Sequence, residues 1–104
     1  MPTLPGTTVE LNEHGFLVDP DQWNDEVAQA LARHAEGVAQ LTRQHWTVIR
    51  TIRSFYEQHG LAPLVRVICK STGIKLKDIY GLFPSGPANG ACKVAGLPSA
   101  DGCI

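Results

Sequence analysis

Apolar residues recur along much of this chain at intervals of three and four positions, the spacing that places side chains on one face of an α-helix. The stretches with this pattern begin near Thr or Pro and stop before Gly or Pro, as helices commonly do. They predict five helices, over residues 20–36, 43–59, 63–72, 76–83 and 87–95. The aromatic residues expected in the core between these helices are Trp46, Phe55, Tyr80 and Phe83.

A different pattern occurs near the N-terminus. Two short apolar pieces, 9–11 and 16–18, flank the sequence Asn12-Glu13-His14-Gly15. Gly at the end of such a polar stretch supplies the conformation that a tight turn needs. This predicts a β-hairpin within residues 7–18.

The last 19 residues, 86–104, differ from the rest in composition. They contain four Gly, four Ala and two Pro, and no aromatic residue. After Gly96-Leu97-Pro98, the stretch 99–104 has almost nothing to bury, so we expect it to be mobile or only lightly docked. We therefore predict one domain over 1–104, with the hairpin at 7–18, a helical bundle at 20–85 and a C-terminal arm at 86–104.

Length and composition exclude several classes of protein. A chain of 104 residues with 43% hydrophobic and 18% charged residues is typical of one ordinary globular domain. No apolar stretch approaches the roughly 20 residues of a membrane-spanning helix. The N-terminus lacks the basic start and apolar run of a secretory signal. We expect a cytoplasmic protein without membrane insertion, in a compartment where thiols stay reduced.

The charges are unevenly distributed. Residues 1–36 carry seven acidic side chains and one basic, whereas residues 37–93 carry eight basic and two acidic. A basic half suits an anionic ligand or an acidic partner surface. A solvated charged face without a ligand would have the same composition.

Three cysteines supply the candidate chemistry. Cys69 lies among core positions of a predicted helix and is expected to pack there. Cys92 lies in the short fifth helix, and Cys103 is penultimate in the chain. A thiol near a chain end can enter a partner's pocket, and Gly102 beside it frees the backbone for a narrow channel.

Cys92 and Cys103 are separated by ten residues. Closing a loop of that size costs about 3 kcal/mol of chain entropy, which thiol redox chemistry can supply. The two sulfur atoms could therefore meet directly or through further sulfur atoms. Arg66 and Lys93 are the cations expected to stabilise a thiolate or bind an anionic substrate near the arm.

Five alternatives remain open from the residues alone. Cys103 could be an incidental surface thiol in a tail, or the chain could be an interaction subunit that does not use its cysteines. A zinc site is disfavoured because the ten-residue separation lacks common ligand spacing and the four His lie on other elements. A Cys-His nucleophile would need a His from a distant part of the sequence. No metal or cofactor is expected.

Residues 63–82 also suit a helix-turn-helix, the fifth alternative. Arg66, Lys70, Lys75 and Lys77 cluster there, which would fit a nucleic-acid-binding regulator. The acidic N-terminal half and a pI of about 6.4 weaken attraction to phosphate. Nucleic acid is therefore not the partner we favour.

The arm and the residues before it resemble the DsrC/TusE family of sulfite-reductase gamma-subunit-like sulfur carriers. The matching residues in the C-terminal half are Arg66-Val67, Lys70, Thr72-Gly73, Lys75-Leu76-Lys77, Tyr80, Leu82-Phe83-Pro84-Ser85-Gly86-Pro87, Gly90-Ala91-Cys92-Lys93, Ala95-Gly96-Leu97-Pro98 and Gly102-Cys103. Those in the N-terminal half are Gly15-Phe16-Leu17, Trp23, Glu36-Gly37, Leu41-Thr42, His45-Trp46 and Phe55-Tyr56.

The resemblance implies a mainly α fold, a small orthogonal bundle of about five helices with an N-terminal β-hairpin and a flexible C-terminal arm that includes Gly96, Pro98 and Gly102. It implies a sulfur carrier of dissimilatory sulfur metabolism in which Cys103 accepts sulfur and Cys92 closes a disulfide or trisulfide. Such a protein is a co-substrate rather than a turnover enzyme. TusE-type members, which relay sulfur for tRNA thiolation, keep only the penultimate cysteine, so this chain resembles the DsrC type.

The partners that the resemblance implies are the alpha and beta subunits of a dissimilatory sulfite reductase, upstream persulfide donors and a membrane-bound reductase complex that resolves the trisulfide. Residues 72–80 lack the small insertion of TusE and sulfur-oxidiser forms, which resembles the sulfate- or sulfite-reducer form. Ser99-Ala100-Asp101 stands where the family usually has Lys-Pro-Thr. This departure affects how the arm would dock.

Overall fold

The computed structural model describes residues 3–4 and 7–98. Within them the fold is mainly helical with about five helices, as predicted. A 3₁₀ turn at Pro20–Gln22 precedes the helices α1 (Asp25–Leu31), α2 (Arg43–His59), α3 (Val65–Thr72) and α4 (Leu76–Leu82). The π-helix Ala32–Glu36 extends α1, and a second π-helix, Pro87–Cys92, is named here the Cys92 helix.

The helix boundaries follow the predicted Gly and Thr signals more closely than the Pro signals. Thr42 caps α2 by accepting a hydrogen bond from the backbone N–H of His45, and α2 and α3 end at Gly60 and Gly73. The first predicted helix is interrupted, because Asn24 caps a new helix after the 3₁₀ turn. Pro63 does not open α3, which begins two residues later at Val65.

The predicted hairpin is present as isolated antiparallel bridges in the described residues, not as continuous strands. Leu11 pairs with Leu17 around the turn at Gly15, and Thr3 pairs with Glu10. The Asn12 side chain stabilises the turn by accepting hydrogen bonds from the backbone of His14 and Phe16.

Burial in α4 is narrower than its apolar pattern predicts. Ile79 and Phe83 are fully buried, but Leu76 and Tyr80 are 43% and 50% exposed. The expectation that Tyr80 is a core residue was wrong. One helical position corresponds to a rotation of about 100°, so a two-turn helix that buries Ile79 turns Tyr80 toward solvent.

The core continues into the predicted arm. Ala91, Cys92, Val94, Ala95 and Leu97 are all fully buried and belong to the same cluster as the core residues of α2 and α4. The boundary predicted at residue 86 stays a prediction, but the described part of the arm is packed into the bundle. Among the described residues, no helix is both long and apolar enough to cross a membrane.

Candidate functional site

Cys92 is the last residue of the Cys92 helix, Pro87–Cys92, and its side chain is fully buried. The helix is fixed at its start by Glu36, whose Oε2 accepts a hydrogen bond from the Ser85 N–H at 3.1 Å. The other carboxylate oxygen of Glu36 lies against Gly90, where a Cβ would collide with it. Cys92 is therefore held in a fixed place below the surface.

The chain reverses direction shortly after Cys92, over residues 94–98, and this segment is the reversal. The N–H of Gly96 donates to the carbonyl of Lys93 at 3.0 Å, and the N–H of Leu97 donates to the carbonyl of Cys92 at 3.3 Å. With Gly96 at a φ of 79°, these two bonds form the Schellman arrangement that ends many helices. Leu97 consequently lies next to Cys92, although four residues separate them along the chain.

Trp23 and Arg53 bind the carbonyls at this reversal. Trp23 Nε1 donates to Val94 O at 2.9 Å. Arg53 Nη1 contacts Ala95 O at 3.3 Å and Gly96 O at 3.4 Å, and its Nη2 donates to Pro20 O at 2.7 Å. The carbonyls of Val94 and Ala95 are ones that a helix end leaves without intrahelical partners.

The guanidinium of Arg53 is itself enclosed. Its side chain is 11% exposed, and its carbon Cζ lies 4.9 Å from the centroid of a Trp23 ring and 5.7 Å from that of Tyr56. A cation at the negative end of a helix dipole, stacked on aromatic faces, is electrostatically favoured. Neither Trp23 nor Arg53 was predicted from the sequence as a site residue.

The two cations predicted to bind substrate lie in different surroundings. Lys93 packs over Phe16, with Nζ 5.0 Å from the ring centroid, and touches Gly15 of the turn. Arg66 is exposed and lines a groove of about 530 Å³ between α3 and α4, together with Cys69 and Lys70. Their assignment to substrate binding stays a prediction.

Cys69 is half-buried on α3, consistent with the packing role expected for it. Cys103 and Gly102 lie outside the described residues, so their predicted roles remain predictions. Gly96 and Pro98, assigned from sequence to the flexible arm, lie in the bound reversal, and Pro98 O accepts a hydrogen bond from Asn12 Nδ2 at 3.2 Å. Flexibility at these two residues would require those contacts to break.

No group of three or more His, Cys, Asp or Glu side chains in the described part of the chain is arranged to hold a metal ion. None of the four His lies on the Cys92 helix: His14 is in the turn, His34 is in the π-helix that extends α1, and His45 and His59 are on α2. His45, the buried one, bonds to Thr42 and to the Leu82 carbonyl and lies far along the chain from both arm cysteines.

A protein-family model described as "DsrC like protein" matches residues 3–104. The chain is 42% identical over 102 residues to "Sulfite reductase, dissimilatory-type subunit gamma" of Nitratidesulfovibrio vulgaris, covering 98% of this chain and 96% of that protein. It is 38% identical over 106 residues to "Sulfurtransferase TusE" of Pectobacterium atrosepticum, covering 95% of each.

Solved structures are similar along the whole fold. The oxidized gamma-subunit of the dissimilatory sulfite reductase (DsrC) from Archaeoglobus fulgidus superimposes with a TM-score of 0.87 at 41% identity, over 99% of this chain and 100% of that one. The solution structure of the corresponding Pyrobaculum aerophilum protein gives a TM-score of 0.81 at 43% identity, over 99% and 93% of the two chains.

Proposed function

The chain belongs to the DsrC-like protein family, and on this premise we propose that it is a sulfur carrier in which Cys103 accepts sulfur and Cys92 is the second thiol. One observation supports the pairing most directly. The hydrogen bond from Leu97 N to Cys92 O places Leu97 next to Cys92. The segment that carries Cys103 therefore begins near Cys92. Six residues then span at most about 20 Å, which is ample for a return to Cys92.

The proposed chemistry is thiol exchange. The Cys103 thiolate attacks the outer sulfur of a donor persulfide, which releases the donor thiolate and leaves a persulfide on Cys103. The Cys92 thiolate then attacks the inner sulfur of that persulfide, which forms a Cys92–Cys103 disulfide and expels hydrosulfide. Neither step needs an external oxidant, because the transferred sulfur takes up the two electrons.

With a sulfite reductase as the sulfur source, sulfite, two electrons from the reductase, the two thiols and four protons would give a trisulfide between the two cysteines and three molecules of water. Opening it to two thiols and sulfide takes four electrons. We propose that a dissimilatory sulfite reductase supplies the sulfur and that a membrane-bound reductase complex supplies those electrons. The relative from Nitratidesulfovibrio vulgaris is named as a subunit of such a sulfite reductase. The carrier would act in the cytoplasm as a co-substrate of the reductase.

The burial of Cys92 fits a thiol reserved for an internal partner. A fully buried sulfur is shielded from dissolved oxidants and reacts when a group reaches it through a local opening. Cys103, attached five residues after Pro98, has the shortest tether to that opening. A carrier with this arrangement would be loaded outside the protein body and unloaded against it.

A relay for tRNA thiolation is the second candidate, favoured by the relatives named Sulfurtransferase TusE at 35–38% identity. That role would use Cys103 alone, so Cys92 argues for the first candidate. A nucleic-acid-binding role for α3 and α4 stays a prediction from their cations.

Sulfur loading is tested by intact-mass measurement after exposure of the full chain to a low-molecular-weight persulfide. We expect additions of one or more sulfur atoms, or the loss of two hydrogen atoms where Cys92 has resolved the persulfide to a disulfide. Reducing agent should reverse both changes, and Cys103→Ser should abolish both. Cys69→Ser is the matched control, because it removes a half-buried thiol of α3 that has no role in the proposal. It should load like the wild type. Equal loading of the wild type and Cys103→Ser would contradict the proposal.

A further inference from the structure

The carbonyls that follow Cys92 are bound by side chains from two distant elements. A helix end leaves up to four carbonyl groups without intrahelical partners. Here Cys92 O and Lys93 O are bound within the reversal, whereas the carbonyls of residues 94–96 accept hydrogen bonds from the side chains of Trp23 and Arg53. The reversal is therefore closed from outside by residues 23 and 53.

We propose that Trp23 and Arg53 form a latch that keeps Cys92 covered, and that opening this latch controls access to the Cys92 thiol. The two are positioning residues, since they bind the backbone after Cys92 rather than any reacting atom. The inference rests on the proposed function only in its purpose, which is to admit the sulfur on Cys103. The latch itself concerns the described residues alone.

The backbone that the latch binds, residues 94–96, lies between the two cysteines along the chain. Cys92 precedes it, and the chain toward Cys103 continues after Pro98. Loss of the bonds to residues 94–96 would free the reversal and uncover the sulfur before the bundle unfolds.

Arginine suits this position better than lysine. Its planar group donates in several directions at once, which lets one side chain bind carbonyls of two separate segments, 95–96 and Pro20. It also stacks on Trp23, whose ring fills the space beside Gly96 where a Cβ would collide. Lysine keeps the charge but would lose most of these bonds.

The test is the alkylation rate of Cys92 by iodoacetamide in the full chain carrying Cys69→Ser and Cys103→Ser, which leaves one thiol. A bond from a charged group to a carbonyl is worth a few kcal/mol at most, so we expect Arg53→Lys to accelerate alkylation by about tenfold or more. Trp23→Phe, which keeps a ring but removes the donor to Val94 O, should accelerate it as well.

Arg50→Lys is the matched control. Arg50 lies one turn earlier on α2 and also stacks on a tryptophan, Trp46 at 5.1 Å, but it binds Asp25 at the surface rather than the reversal. Its substitution should leave the Cys92 rate within about twofold of the parent, as for most surface changes.

Urea separates a latch from a general loss of stability. Opening of the latch exposes little surface, so the accelerated rate should depend weakly on low urea concentrations, whereas reaction through global unfolding would rise steeply. The proposal is overturned if Arg53→Lys and Trp23→Phe react no faster than Arg50→Lys, or if their acceleration has the full urea dependence of unfolding. Because Cys103 is absent from this assay, failure here leaves the sulfur-loading result standing, and the reverse holds too.

Discussion

Gly96 meets two separate constraints. Its φ of 79° lies in the left-handed region that side chains disfavour, and a Cβ there would overlap the Trp23 ring. The first constraint belongs to helix ends in general and is shared by Gly37, Gly60 and Gly73. The second is specific to the reversal after Cys92, where the backbone needs close contact with an indole ring.

Substitution of Gly96 by alanine should therefore cost more than the same change at an ordinary helix end. We expect Gly37→Ala, with a φ of 66° and open space around it, to lower the free energy of unfolding by about 1–2 kcal/mol from backbone strain alone. Gly96→Ala should cost a further 1–3 kcal/mol, roughly the penalty for overpacking.

Urea unfolding of the two variants beside the wild type measures this difference. Equal losses at the two positions would mean that the ring of Trp23 moves away freely, and they would argue against a tight reversal.

At the scale of elements, His45 joins the start of α2 to the end of α4. Its Nδ1 accepts a hydrogen bond from the Thr42 N–H at 3.1 Å, so Nε2 carries the hydrogen that is donated to Leu82 O at 2.9 Å. This tautomer is assigned from the bonds. The ring also meets Phe83 edge to face at 5.2 Å.

His45→Phe should destabilise the fold although it keeps an aromatic ring on Phe83. It leaves the part-buried Thr42 N–H and Leu82 carbonyl without their partner, which costs about 1–3 kcal/mol. His59→Phe, at the exposed end of the same helix, is the control and should change stability by about 0.5 kcal/mol or less. Thermal unfolding followed by circular dichroism compares them, and a neutral His45→Phe would show that His45 does not join the two helices.

Elements with strong local signals were predictable. Thr42, Gly60 and Gly73 fixed the ends of α2 and α3 because capping depends on a few neighbouring residues. Gly96-Leu97-Pro98 carried a comparable signal, a Gly with a following apolar residue and Pro, which marks a Schellman helix end. It was interpreted as the start of a loose tail instead.

The burial of the predicted arm could not be inferred locally. Ala91 and Ala95 are small enough for close packing or for a flexible linker, and only the surfaces opposite them decide which. Those surfaces come from Trp23, Phe83 and α2, which are remote in sequence. Arg53 was missed for the same reason, since a charged residue beside an apolar stripe is usually solvated.

For the whole molecule, the proposed sulfur carrier requires two cysteines of one chain that can reach each other. The resemblance to a family predicted the fold and the identity of the two thiols. The structure adds that Leu97 lies beside Cys92 and that the reversal is held by hydrogen bonds. Arg66 lines the groove between α3 and α4 and Lys93 packs over Phe16, and their predicted role in stabilising an anion near the arm stays a prediction.

The sequence offers a direct measurement of that contact, because trypsin would place the three cysteines on separate peptides. Cleavage after Lys and Arg puts Cys69 in 67–70, Cys92 in 78–93 and Cys103 in 94–104. Mild oxidation of dilute wild-type protein with glutathione disulfide, digestion without reductant and mass spectrometry would identify any linked pair. We predict that a monomeric product yields peptide 78–93 joined to 94–104, and that Cys92→Ser abolishes it. Cys103 recovered only with glutathione, with Cys69 or with a second chain would contradict the account.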